Sequence, residues 1–178
     1  MKAYISVLLL CFILTGCAKT TPSATPTVIQ AEDSQIRLYK AMGDPELTEQ
    51  LLAALESRAS QLSVDGYGGG SWYTGYYCKD VKTGETWFEV EESGLDIVLI
   101  VDSLEDRDKL GDLAMEILFL LKDLSMDGAS IAQSAKIELK FESDDRELTF
   151  EFPMALVEDL LERDLNGAEV LEALDQKP

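Results

Sequence analysis

Apolar residues recur in three rhythms along the chain, and the rhythms divide it. Residues 3–14 form an apolar run broken only by Ser6. From Lys19 to about Gln35 the run gives way to Thr, Pro, Ser and Ala with few large side chains, the composition of a flexible tether. Beyond it, spacings of three and four residues alternate with period-two stretches. The first predicts helices with one buried stripe, the second half-buried strands.

The helical spacing predicts a short helix over residues 36–42, with Ser34 near its start and Gly43 at its end. A longer one follows Asp44-Pro45, a capping residue and a proline at the first helical position. Its stripe is Leu47, Leu51, Leu55, Ala59 and Leu62, and it is expected to end near Ser63. The clearest helix opens at Ser103-Leu104-Glu105-Asp106, a capping-box-like start, and carries Leu110, Leu113, Ala114, Ile117, Leu118, Leu121 and Leu124 to a stop at Asp127-Gly128. Pro153 reads as the opening of another, with Leu156, Val157, Leu160 and Leu161 inward and Asn166-Gly167 at its end. Val170, Leu171 and Leu174 mark a short final helix.

Between helices the period falls to two. The glycine-rich residues 65–70 read as a loop. After it, Trp72, Thr74, Tyr76 and Cys78 share one strand face and Tyr73, Gly75 and Tyr77 the other. Lys82-Thr83-Gly84 and Glu92-Ser93-Gly94 predict turns that separate strands at 86–91 and 95–101, the latter apolar on both faces from Ile97 to Val101 and therefore central. Two further strands, 135–142 and 147–152, flank the polar turn Ser143-Asp144-Asp145-Arg146. The expected order is α-βββ-α-ββ-αα: an α+β fold with an antiparallel sheet of about five strands and helices packed on one face, with a possible ββα duplication. The domains read as a signal over 1–16, a tether over 17–35 and one α+β domain over 36–178.

The amino-terminal run fits an export signal: Lys2 provides the positive charge, the apolar middle is too short for the roughly 20 residues a bilayer-spanning helix needs, and small residues close it. Leu14-Thr15-Gly16-Cys17 resembles the lipobox of bacterial lipoproteins. The resemblance implies cleavage before Cys17, a diacylglyceryl group on its thiol, and an extracytoplasmic domain anchored to the cell membrane. Ala18 in the next position implies the outer membrane, facing the periplasm, in a Gram-negative host. Two acyl chains hold a protein stably where one does not. Removing residues 1–16 from the 178 leaves 162, with about 140 after the tether, enough for one core.

The whole chain carries a net charge of −19, which becomes −20 without Lys2. That charge excludes nucleic-acid binding and disfavours flat contact with anionic lipid. With Cys11 in the signal and Cys17 lipidated, Cys78 stands alone and reads as a small buried hydrophobe. No histidine occurs, which removes the usual general base and zinc ligand. Glu85, Glu89 and Glu91 share a spacing of two, as on the wet side of a sheet. The acidic groups around Asp102–Asp108 and at Asp144-Asp145 do not match an EF-hand loop. The sequence thus assigns no catalytic residue, metal or cofactor.

Tyr67, Trp72, Tyr73, Tyr76 and Tyr77 crowd one segment beside glycines, and amphipathic aromatics at this density are enriched at interfaces. They are the candidate surface for an envelope protein or peptide. The competing reading puts Trp72 and Tyr76 in the core and Tyr73 and Tyr77 on the outer face. The expected function is a lipid-anchored, non-catalytic binding protein of the cell envelope; a carboxylate-dependent hydrolase of envelope polymer and a small-ligand-binding lipoprotein are the alternatives.

Overall fold

The structure, a computed structural model, describes residues 35–126 and 131–176 together with the strand Val28–Ala31. The expected signal, Cys11, Cys17, Ala18, most of the tether, Ser34 and the helix stop at Asp127-Gly128 lie outside the described residues. Ten elements follow in order: β1 (Val28–Ala31), β2 (Gln35–Gly43), α1 (Pro45–Leu62), β3 (Gly66–Asp80), β4 (Thr86–Ile100), α2 (Arg107–Met126), β5 (Lys136–Ser143), β6 (Arg146–Pro153), α3 (Leu156–Glu162) and α4 (Ala168–Asp175). The fold is α+β. Its strands form one sheet in sequence order, antiparallel except for β4 and β5, which run parallel because α2 returns the chain between them.

The sheet buries one face under the helices. Leu95, Ile97 and Leu99 of β4, Ile137, Leu139 and Phe141 of β5, and Phe150 and Phe152 of β6 form a single core with Leu51 and Leu55 of α1, the stripe of α2, and Val170, Leu171 and Leu174 of α4. The opposite face of β5 and β6 is polar, crossed by the ion pairs Lys136–Glu151 and Lys140–Glu147. As expected, β4 is central, flanked by β3 and β5.

Several expectations are corrected. Residues 36–42 are a strand, not a helix: seven residues of mixed polarity fit either period, and the ladder from Gln35↔Asp80 to Gly43↔Trp72 decides it. Val28–Ala31, expected within the tether, pairs with β2 at the sheet edge. The glycine-rich segment belongs to β3, where a Cβ on Gly69 would lie 2.9 Å from Leu51 Cδ2 and 2.8 Å from the Asp96 carbonyl oxygen, so the missing side chain lets α1 lie on the sheet. The expected turn at 92–94 is absent, and the strands at 86–91 and 95–101 are one strand with a β-bulge.

Helix α2 begins after Asp106, whose side chain accepts from the Lys109 N–H at 3.1 Å, so the cap lies three residues beyond Ser103. Pro153 ends β6 rather than opening a helix, and Gly167, with φ +46°, precedes α4 instead of closing α3. Paired strands followed by a helix occur three times, as β1-β2-α1, β3-β4-α2 and β5-β6-α3, so the expected ββα echo exists with different bounds.

A candidate docking surface at the bulge of the sheet

β3 and β4 are each 15 residues long, about 50 Å at the usual strand rise, and the bulge divides them. Thr74 pairs with Glu92 and Gly75 with Val90, so Glu91 is the extra residue. A Cβ on Gly75 would lie 2.1 Å from the Glu89 carbonyl oxygen, which restricts the position to glycine. On one side of the bulge β3 and β4 carry α1 and the core. On the other they run out with β2 as a three-stranded wing, edged by β1.

The five aromatic residues do not converge on one face. Pairing puts Tyr67, opposite Leu99, on the helix side, where it packs against the core. Tyr73 and Tyr77 share that side. Tyr73 meets Phe88 edge-on at 5.4 Å, and Lys40 Nζ stands 5.7 Å from the Tyr77 ring centre. Trp72 and Tyr76 project from the opposite, helix-free face, so the competing reading of their orientation is reversed. Trp72 donates from Nε1 to Asp96 Oδ1 at 2.9 Å, and its ring lies over Gly94. Tyr76 lies edge-on to Tyr39 at 5.4 Å, with the Arg37 guanidinium 4.6 Å from its ring centre.

Arg37 also pairs with Glu89, and hydrogen bonding to Cys78 and then to Glu89 raises its pKa above the ordinary arginine value. Cys78 is fully buried, as expected, its Sγ 3.8 Å from Glu89 Oε2 and 3.6 Å from the Tyr76 carbonyl oxygen. The row Glu85, Glu89, Glu91 is therefore broken: Glu85 precedes β4, Glu89 faces Arg37 and Glu91 sits in the bulge. Asp102 pairs with Lys109 at 2.9 Å, which holds its carboxyl below the usual range. Among the described residues no group of three His, Cys, Asp or Glu is placed to hold a metal, and no helix is long and apolar enough to cross a membrane.

Where the wing leaves the helical layer, a cleft of about 390 Å³ opens between Leu47 of α1, Trp72 and Tyr73 of β3, Val90 and Leu95 of β4, and Ile131. Its floor is rigidly tied. The Asp44 N–H donates to the Ser71 carbonyl at 3.1 Å, the Ser71 hydroxyl to the Asp44 carbonyl at 2.7 Å, and the Ser71 N–H to Thr48 Oγ1 at 3.0 Å. Arg37, Tyr39, Lys40, Phe88, Val90 and Ile131 join this region without having been singled out in the sequence, and Leu47 was expected only on the buried stripe of its helix. The alternation of Ile36, Leu38 and Met42 with Arg37 and Tyr39 is the signal that marks β2. Comparison with protein-family models, with curated proteins and with solved structures returns no match.

Proposed function

We propose that this chain is a lipid-anchored, extracytoplasmic and non-catalytic binding protein of a bacterial cell envelope, attached through acyl chains on Cys17 and docking an envelope protein or peptide at the cleft beside the bulge. In a Gram-negative host, Ala18 directs the reading to the outer membrane and the periplasm. The cleft carries the proposal. It combines apolar walls with amphipathic aromatics, and pockets of that composition seat the anchor residues of a partner. Trp72 and Tyr73 line it, Tyr77 lies four residues beyond Tyr73 on the same side of the sheet, Tyr76 projects from the opposite face, and Tyr67 packs against the core. Each apolar side chain seated there contributes about 1.5–3 kcal/mol, so two anchors change affinity on the order of 10²–10⁴-fold.

The test is a photo-crosslinking residue at position 90 in the lipid-modified full chain, irradiated in the living envelope. A discrete adduct that disappears in Tyr73→Ala, and that does not form from the ion-paired face at Glu138, is the expected result. The same adducts from both positions, or none from position 90, overturn the docking site. The cleft volume also falls within the roughly 300–1,000 Å³ of small-molecule sites, which favours small-ligand capture as the second reading. Native mass spectrometry distinguishes it, because a retained apolar molecule adds a defined mass to the purified protein.

A further inference from the structure

The outer edge of β4 changes half-way along the strand. From Gly94 to Ile100 it lies between β3 and β5, but the β5 ladder begins only at Gly94↔Lys136. Residues 86–93, about 26 Å of strand, therefore have no strand neighbour on that edge among the described residues. The Asp80 N–H donates to the Glu85 carbonyl at 2.9 Å. On an antiparallel ladder in that phase Glu85, Trp87 and Glu89 bond toward β3, and Thr86, Phe88 and Val90 turn their N–H and C=O groups outward. A long edge of this kind is a template for pairing with another chain.

The two faces of this edge differ. Pairing puts Phe88 and Val90 on the helix side with Tyr73 and Tyr77, and Trp87 and Glu89 on the helix-free face with Trp72 and Tyr76. Val90 is 56% exposed and Trp87 40%. The cleft opens at the same edge, through Val90, Ile131 and Ala132, and adjoins a second hollow of about 250 Å³ bounded by Glu91, Glu92, Ser134 and Lys136. Charge along the edge has one sign: residues 85–93 contain Glu85, Glu89, Glu91 and Glu92 and no lysine or arginine, a net charge of −4. The neighbouring cations are placed elsewhere. Arg37 is paired with Glu89 and Lys136 with Glu151 at 2.8 Å, Lys40 stands at Tyr77, and Lys79 and Lys82 lie at the hairpin end.

From these observations we infer that the partner enters as an extended, cationic segment that adds a strand to the open edge of β4, in line with β5. The inference rests on the docking cleft proposed above and names what that cleft receives. Backbone bonds to Thr86, Phe88 and Val90 supply affinity, and alternate side chains of the added strand supply specificity. Those on the helix side are apolar, packing beside Phe88 and Val90 and reaching into the cleft. Those on the other face are lysine or arginine, meeting Glu92 and the exposed ring of Trp87. An acidic edge draws such a segment in and turns away a neutral or acidic one.

A library of random decapeptides displayed on phage, panned against the full chain purified from its expressing cell, tests this. Sequences that bind the wild type and are lost on Val90→Asn, an uncharged change at an exposed side chain, are synthesised. They are expected to alternate apolar with basic residues, and to bind about 5-fold or more weakly to Glu91→Gln combined with Glu92→Gln, with affinity falling as salt rises. N-methylation of one alternate set of their amides is expected to abolish binding, and of the other set to leave it, as an added strand requires. Hydrogen exchange read by NMR follows the edge itself: the amides of Thr86, Phe88 and Val90 exchange rapidly in the chain alone and slowly with peptide bound. Peptides that depend on Val90 but are neutral or acidic, or that tolerate both methylated sets, overturn the inference and leave the cleft standing. Edge amides already protected without peptide, covered by the chain itself or by a second copy, do the same. If no sequence depends on Val90, the cleft and the inference fall together.

Discussion

Replacing Gly111 by alanine sets two effects of opposite sign against each other. Gly111 lies in α2, and in an exposed helix the change to alanine stabilises by about 1 kcal/mol through backbone entropy alone. Here α4 approaches too closely. A Cβ at 111 would stand 1.6 Å from the Gly167 carbonyl oxygen and 2.2 Å from its carbon, and these are backbone atoms with no rotamer to yield. The segment leading into α4 must move, and it is held by the Gly167 N–H on Asp112 Oδ1 at 3.3 Å and the Ala168 N–H on Asp108 Oδ1 at 3.1 Å. Overpacking costs about 1–3 kcal/mol when neighbours can shift. If α4 detaches, Val170, Leu171 and Leu174 lose their burial, at about 1.5–3 kcal/mol each. The net expectation is a loss of about 3 kcal/mol or more, a fall in Tm of roughly 6–12 °C for a domain of this size. Urea unfolding of the mature protein followed by circular dichroism measures it. Gly70→Ala is the control, since nothing lies within 4 Å of its added Cβ, and it is expected to leave stability unchanged or slightly raised. Gly111→Ala at wild-type stability or above would refute the close packing of α4 on α2.

Three other outcomes follow from the same geometry. Gly75→Ala puts a Cβ 2.1 Å from the Glu89 carbonyl oxygen; it is expected to cost about 2 kcal/mol or more and to raise amide exchange on both strands at the bulge, read by hydrogen-exchange mass spectrometry. Asp44→Ala removes the acceptor for the Leu47 N–H at 3.1 Å; it should lower stability by about 1 kcal/mol in chemical denaturation. Asp102 has a folded pKa below its ordinary 3.8, so its contribution to stability is complete above that pH and fades as pH falls through the lowered value; carbon-detected NMR titration should show the Asp102 pKa rising toward 3.8 in Lys109→Met, and no movement would contradict the pairing.

The most legible parts of the fold were those with long, single-period patterns. Helix α2 shows its stripe over twenty residues, and the β5–β6 hairpin alternates cleanly around a polar turn, so both stand close to where the spacing puts them. The errors cluster where local signals compete with tertiary contacts. Gly66, Gly68, Gly69 and Gly70 favour a loop by backbone entropy, but Leu51 needs the space over Gly69, and that partner is invisible locally. Glu92-Ser93-Gly94 resembles a turn, while Gly94 is required because the Trp72 ring lies over it, a Cβ there standing 2.6 Å from Cζ2. The parallel pairing of β4 with β5 has no local signature at all.

The candidate site was legible in half. Alternation correctly grouped Trp72 with Tyr76 and Tyr73 with Tyr77. Which group faces the helices is set by the register with Leu95, Ile97 and Leu99 on the neighbouring strand, not by the segment's own sequence. The cleft is less legible still, because Leu47, Trp72, Val90 and Ile131 come from separate elements and meet only after the sheet has formed.

Everything proposed about place and partner begins at Cys17. Intact-mass spectrometry of the protein solubilised from membranes of its expressing cell addresses that residue directly. The expected result is a chain that begins at Cys17 and carries a diacylglyceryl group there, lost together with membrane attachment in Cys17→Ser. An unmodified Cys17, or a Cys17→Ser protein that stays lipid-bound at the membrane, would contradict it.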